Sequence, residues 1–148
     1  MIPSRRGWST GALARAFLLL ALSTTPTAAQ SPERAARGFA EAWASGETTA
    51  LRGWFAEDVR LTLDGRARTG VRPEQAVAAL MPLRDRFEGP PPTVARAESM
   101  GPGGGSGFAE LRWEARYRDS GTPRMHTFLL TFERVGDRLL VSDLRIVA

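Results

Sequence analysis

The chain has 148 residues, of which 43% are hydrophobic and 24% charged, and it contains no cysteine. This length suits a single domain, and the composition excludes the collagen-like, disulfide-rich and strongly disordered classes. The net charge of +4 does not indicate a nucleic-acid-binding surface, because Arg5, Arg6 and Arg15 precede residue 30 whereas all 16 acidic residues follow it. Beyond residue 30 the two signs alternate instead of clustering, so we expect no nucleic-acid partner.

Residues 1–29 have the three-part pattern of a secretory signal peptide. A positively charged start precedes a short apolar core at residues 16–22, and Ala28-Ala29 supplies the small residues of a cleavage site. Cleavage after Ala29 would leave residues 30–148 as one exported domain, periplasmic or secreted, with no membrane partner. The alternative is an uncleaved anchor, which needs about 20 predominantly apolar residues. An exported domain without cysteine depends on its hydrophobic core instead of on disulfides.

Two short helices are predicted next. Ser31 as N-cap and Pro32 at the first helical position favour a helix start, and Gly46 ends that helix. Thr48 is expected to cap the second helix. The apolar stripes of the two helices contain Ala36, Phe39, Ala40, Trp43, Leu51, Trp54 and Phe55.

A hairpin and a third helix follow. Residues 59–63 alternate between apolar and polar, which predicts a strand, and Asp64-Gly65 is typical of a two-residue hairpin turn before a return strand at 66–69. Pro73 begins the third helix, and Pro82 is expected to kink or interrupt it. The apolar stripe of this helix contains Ala76, Leu80, Leu83 and Phe87.

A long antiparallel meander completes the chain. Residues 109–117 alternate strictly, with one apolar and one charged face. The inward positions predicted on the last two strands are His126, Phe128, Leu130, Phe132, Leu140, Ser142, Leu144 and Ile146. The apolar positions predicted to face outward are Met125, Leu129, Leu139 and Val141.

Turn lengths predict the pairing of these strands. A four-residue turn places Tyr117 opposite His126. At the next hairpin, a three-residue or bulged turn places Leu130 opposite Ser142, whereas a two-residue Gly136-Asp137 turn places it opposite Asp143. The first of these two alternatives is preferred.

Helices early and strands late predict an α+β fold. The order of elements resembles the nuclear transport factor 2-like superfamily, which includes the SnoaL-like domains, over residues 33–148. Within it, the chain resembles a group of small exported domains of unknown function. The stretches that carry the resemblance are 46–51, 54–63, Glu74-Gln75-Ala76 and 139–146.

The resemblance implies a cone-shaped fold in which three N-terminal helices pack on a curved, mostly antiparallel sheet, with a pocket at the open end. Members of the superfamily include isomerases, cyclases, dehydratases, hydrolases and binding or dimerisation modules, so the fold alone does not select a function. Its isomerases use a Tyr on the first helix to bind the developing oxyanion. This chain has Phe39 and Trp43 there, which speaks against that mechanism.

Tyr117 and His126 are the polar pair expected on the inner face. They would serve as a general acid and base or as a ligand-orienting pair; the alternative places both at the end of the sheet with their polar tips in water. Asp58 and Asp64 flank the first strand. Asp64 is interpreted as a turn residue before Gly65, and Asp58 as a residue that follows a helix and precedes the strand, so neither is assigned a catalytic role. No catalytic residue is assigned, and a single His without Cys predicts neither a metal site nor a cofactor.

A larger set of inward residues is predicted to line a small apolar pocket or to fill the core. The set is Phe39, Trp43, Trp54, Phe55, Trp113, Tyr117, His126, Phe128 and Ser142. The outward set of Met125, Leu129, Leu139 and Val141 is a candidate homodimer face.

The preferred function is therefore an exported, non-catalytic domain that binds a small ligand or a protein partner. The alternatives are a SnoaL-like isomerase, dehydratase or hydrolase acting in an apolar pocket, and a sheet-mediated dimerisation module.

Overall fold

The computed structural model describes Pro3 and residues 29–148. The predicted signal peptide therefore lies outside the described residues, apart from Pro3 and Ala29. The elements in chain order are α1 (Pro32–Ser45), α2 (Thr48–Arg52), β1 (Phe55–Leu63), β2 (Arg66–Val71), α3 (Pro73–Arg86), β3 (Phe87–Glu88), β4 (Thr93–Met100), β5 (Ser106–Tyr117), β6 (Pro123–Val135) and β7 (Arg138–Val147). Over this described part, none of the helices has the length and apolar character needed to cross a membrane.

Seven strands form one open sheet in the order β2-β1-β7-β6-β5-β3, and β4 also pairs with β5. β1 and β7 pair in parallel, and every other pair is antiparallel. On this sheet α1 contacts β4, β5 and β7, while α3 contacts β1 and β3. The predicted α+β class and mostly antiparallel sheet are confirmed.

The ends of α1 follow from its sequence. The Ser31 hydroxyl accepts a hydrogen bond from the backbone N–H of Arg34 at 3.2 Å, and Gly46 ends the helix with a φ of 77°. The prediction for α2 is less accurate, because its N-cap is Glu47 and Phe55 begins β1 instead of continuing the helix. Trp54 lies in the turn between them, where its carbonyl accepts from the Val141 N–H at 2.7 Å.

Pro82 does not interrupt α3, contrary to one of the two expected outcomes. Its missing N–H would have bonded the carbonyl of Ala78, and both residues are exposed, so water can satisfy that carbonyl. The helix ends at Arg86, and Phe87 begins β3 instead of extending the helical stripe. The Asp64-Gly65 turn is as predicted, with φ values of 50° and 74°.

The β5–β6 pairing differs from the predicted register. His126 lies opposite Trp113, and Tyr117 pairs with Phe87 of β3. The turn spans residues 117–122, closed by a hydrogen bond from the Tyr117 N–H to the Thr122 carbonyl at 2.9 Å. The register moves by an even number of residues, so each side chain keeps its predicted face.

A bulge at Ser142 changes the last strand. The β6–β7 turn is the two-residue Gly136-Asp137 turn, but Phe132 pairs with Val141 and Thr131 with Asp143, which leaves Ser142 as an extra residue. Its hydroxyl donates to the Thr131 carbonyl at 3.3 Å. Both predicted partners of Leu130 are wrong, because it lies opposite Leu144.

The bulge reverses the faces of the first half of β7. Leu139 and Val141 are each 0% exposed and belong to the core, whereas Leu140 is half-buried. The prediction that Leu139 and Val141 face outward is therefore wrong. In the same core, Phe128 packs edge to face against Phe39 and Trp43, with ring centroids at 6.4 and 5.0 Å.

Candidate functional site

A cavity of about 230 Å³ lies where α3 meets the ends of the sheet. It is bordered by the last residues of β1, β5 and β7 and by the first residues of β6. We call it the main cavity. Its lining residues are Leu63, Asp64, Ala79, Pro82, Leu83, Arg86, Phe87, Tyr117, Arg124, His126, Ile146 and Ala148.

His126 is the buried polar group of this cavity. Strand alternation on β6 points it inward, and it is 2% exposed. Its ring packs against Phe87 and Trp113, with centroids at 4.5 and 5.5 Å. The Nδ1 atom has no hydrogen-bond partner within the protein.

Burial lowers the pKa of His126, and the positive charges of Arg124 and Arg86 lower it further. The backbone of Arg124 and the carboxylate of Asp64 act in the opposite direction but do not reverse the shift. The imidazole is therefore neutral at pH 7.

Tyr117 also lines the main cavity, but it is not the cross-strand partner of His126. Its ring packs against Phe87 with centroids 4.4 Å apart, so Phe87 contacts both predicted polar residues. The structure thus brings Tyr117 and His126 to one cavity and packs the same apolar ring against each of them.

Three charged lining residues have roles that the sequence did not suggest. Asp64 occupies the hairpin turn, as interpreted, and also lines the main cavity. Arg86 and Arg124 were not singled out, and the Arg86 guanidinium lies 5.7 Å above the Phe87 ring. These charged residues meet at the main cavity because α3 docks against the sheet, and short-range sequence patterns do not report that docking.

The other residues predicted to line a pocket divide among several environments. Trp43 and Trp113 border a second cavity of about 120 Å³. Phe39, Phe55 and Phe128 are buried in the core. Trp54 lies 5.4 Å below the Arg138 guanidinium, and Ser142 is the bulge residue. The nine residues therefore do not form one cavity.

Only two of the four residues of the predicted homodimer face lie on the outer face of the sheet. Met125 is 46% exposed and Leu129 is half-buried on the outer face, whereas Leu139 and Val141 lie in the core. Leu129 is flanked by Glu110 on β5 and Arg145 on β7. The outer face of these strands is thus mixed and not uniformly apolar.

No group of three or more His, Cys, Asp or Glu side chains with metal-binding geometry occurs within residues 29–148. What the main cavity offers chemically is one neutral imidazole, one phenol, one carboxylate and two guanidinium groups on a wall that is about equally polar and apolar.

No family model and no curated protein sequence matches the chain. Solved structures do match. A ketosteroid isomerase-like protein from Erwinia carotovora atroseptica aligns with a TM-score of 0.65 and 13% identity, over 82% of this chain and 95% of that one. A DUF4783 family protein from Bacteroides fragilis aligns with a TM-score of 0.61 and 18% identity, over 74% and 93%.

A third similar structure is a hypothetical protein with a ketosteroid isomerase-like fold from Catenulispora acidiphila, in complex with trimethylamine. Its TM-score is 0.60 at 19% identity, over 80% of this chain and 87% of that one. The chain therefore has the nuclear transport factor 2-like fold, with a curved, open and mostly antiparallel sheet. At these identities the similarity establishes the fold and does not select a function.

Proposed function

We propose that the chain is a non-catalytic binding domain that holds a small molecule with both apolar and polar groups in the main cavity. The observation that carries this proposal is that His126 lines the cavity and that its buried Nδ1 has no hydrogen-bond partner within the protein. In this proposal the helices and the curved sheet form a cone, and the main cavity lies at its open end.

The lining favours a ligand that has both apolar and polar groups, because the wall is about equally polar and apolar. Leu63, Leu83 and Ile146 supply an aliphatic wall, and Phe87 supplies an aromatic one. A buried polar atom without a partner costs about 1–3 kcal/mol. A polar atom of the ligand that bonds His126 would remove this cost and would orient the ligand.

The size of the cavity restricts the ligand. Pockets for drug-sized molecules measure about 300–1,000 Å³. The main cavity, at about 230 Å³, is below that range. This limit applies to the part of a ligand that the main cavity itself holds, because an adjoining depression of about 620 Å³ shares Leu63, Asp64, Ala79 and Pro82 with it.

Binding is preferred over catalysis because of how Phe87 is placed. General acid–base catalysis requires both groups to reach the reacting atoms within hydrogen-bond distance. The Phe87 ring packs against both Tyr117 and His126, which favours a shaped binding wall over a cooperating acid–base pair.

Export with cleavage after Ala29 is part of the proposal. Gln30, which would become the first residue, is hydrogen-bonded to the β6–β7 turn and to β7. Its N–H donates to the Asp137 carbonyl at 3.1 Å, and its side-chain oxygen accepts from the Leu139 N–H at 3.0 Å. We expect the intact mass of the exported protein to match residues 30–148; retention of residues 1–29 would contradict this.

A cavity-filling substitution tests the ligand proposal. Ala79 lines the main cavity from α3, so Ala79→Leu would occupy its space. Ala78→Leu adds the same atoms at the neighbouring, exposed position. A library of small aromatic and aliphatic compounds is screened by thermal shift against the wild type and both variants.

We expect compounds that raise the melting temperature of the wild type and of Ala78→Leu but not of Ala79→Leu. A library without any stabilising compound, or one whose hits stabilise all three proteins equally, would contradict the proposal. Chemical turnover of a bound compound that His126→Gln abolishes would favour the enzyme alternative.

A further inference from the structure

The second cavity, of about 120 Å³, lies at the C-terminal ends of α1 and α3, beside the edge strand β3. Trp43 comes from α1, Arg84 from α3, Glu88 from β3, and Arg118 from the residue that follows β5. None of these four residues lines the main cavity, although Phe87 borders both.

Trp43 supplies a buried donor without an acceptor. The residue is 1% exposed, and its Nε1 has no hydrogen-bond partner within the protein. An indole N–H can donate but cannot accept. Trp113, on the wall of the same cavity, donates its Nε1–H to the Pro90 carbonyl at 2.9 Å. The fold thus provides an acceptor for one of these two indoles and not for the other.

Two guanidinium groups, which also only donate, accompany the Trp43 N–H. The Arg84 guanidinium lies 5.4 Å from the centre of the Trp43 ring. Arg118 donates from Nε to the backbone carbonyl of Arg84 at 3.2 Å, which fixes its side chain beside that residue. Burial lowers the pKa of Arg84, the positive charge of Arg118 lowers it further, and Asp85 opposes both.

The charges that face this cavity leave a positive excess. Glu88 is the carboxylate on the wall, and it pairs with Arg118 at 3.4 Å in an exposed position. Arg84 also has a structural role, because it lies against Gly46 at the C-terminal end of α1, where a cation is favourable. This interaction is with the C-terminal end of α1, and it does not supply a hydrogen-bond acceptor for the Trp43 N–H.

We propose that the second cavity is a binding site for a small oxyanion, a carboxylate or phosphate group, held by the Trp43 N–H and the Arg84 and Arg118 guanidinium groups. The three side chains present donors alone, so the guest must be rich in acceptors, and the positive excess selects an anion. The volume restricts the bound part to the charged group itself. This inference is independent of the ligand proposed for the main cavity.

Indole N–H resonances test the site directly. The purified chain is observed by ¹H–¹⁵N NMR at pH 7, in a buffer without oxyanions, and titrated with sodium phosphate or with sodium acetate. Sodium chloride at matched ionic strength is the reference. We expect the Trp43 indole resonance to shift saturably with at least one of the two oxyanions, while the Trp113 indole, already bonded to Pro90, moves much less.

Three substitutions distinguish specific oxyanion binding at this site from a general effect of the protein's positive charge. Arg118→Gln and Arg84→Gln should each weaken the oxyanion response about tenfold or more, since each removes a charge-assisted hydrogen bond. Arg116→Gln removes an exposed charge two residues from Arg118 and should leave the response unchanged. Far-ultraviolet circular dichroism confirms that each variant is folded.

The two titrants also distinguish the type of group that is bound. A stronger response to acetate indicates a carboxylate site, and a stronger response to phosphate indicates a phosphate site. A Trp43 resonance that does not move with either oxyanion, or that moves equally with chloride, would overturn the proposal. A response that Arg116→Gln weakens as much as Arg118→Gln would overturn it as well.

Discussion

At the scale of single residues, His126 is the most informative position. It is the one histidine of the sequence, so its ring resonances report on the main cavity without overlap from other imidazoles. Phe87 and Trp113 cover its ring, and Arg124, Arg86 and Asp64 supply the nearby charges. These neighbours make its pKa a test of the site.

We predict that His126 titrates below its usual pKa of 6.5, because burial and the nearby arginines disfavour the imidazolium. NMR of the imidazole as a function of pH measures the midpoint. Arg124→Gln should raise that midpoint, since it removes a positive charge, whereas Asp64→Asn should lower it. A midpoint at or above 6.5 in the wild type would show that the ring is not buried as described.

The same shift makes stability depend on pH. The unfolded chain binds the His126 proton at higher pH than the folded chain does, because the folded pKa is the lower one. The stability that neutral His126 contributes is therefore present above pH 6.5 and is lost as the pH falls from 6.5 through the folded pKa. Urea unfolding at a series of pH values measures this. Over that range the free energy of unfolding should fall more steeply with decreasing pH in the wild type than in His126→Gln.

At the scale of elements, the bulge in β7 determines which leucine belongs to the core. Leu139→Ala should lower the free energy of unfolding by about 2–5 kcal/mol, because it removes a fully buried side chain. Leu140→Ala removes the same atoms from a half-buried outer position and should cost about 1 kcal/mol or less. Chemical denaturation measures both values. A larger loss for Leu140→Ala would mean that β7 has no bulge at Ser142.

Elements with local determinants could be predicted from the sequence. The cap at Ser31, the αL glycine at Gly46 and the Asp64-Gly65 turn each depend on neighbouring residues, and each is found where the pattern indicates. Strict alternation likewise identified β5. The register of β5 against β6 and the bulge at Ser142 depend on how whole strands pair, which short-range patterns do not encode.

The candidate site was predictable only in part, for the same reason. Tyr117 and His126 were identified because strand alternation points both of them inward. Arg86 enters the main cavity because α3 docks beside the sheet, and Trp43 and Arg84 meet because α1 and α3 end close together. Such contacts depend on how the helices dock in three dimensions, and helical or strand periodicity does not report them.

At the scale of the whole molecule, a sheet-mediated homodimer stays a proposal, and it now involves Met125 and Leu129. Met125→Glu would place a second negative charge opposite Glu114 and should dissociate such a dimer. Sedimentation velocity at high micromolar concentration measures this, with the exposed Met100→Glu as the control. A monomeric wild type, or a dimer that Met125→Glu leaves intact, would contradict the proposed interface.

Whether the main cavity holds a small ligand is tested most directly by mapping where a stabilising compound binds. Chemical-shift changes across the chain during titration with the best thermal-shift compound give that map. We expect the largest saturable changes at His126, Tyr117 and Leu83, and little change at the exposed Met125. Changes centred on the outer face of the sheet, with His126 unmoved, would contradict binding in the main cavity.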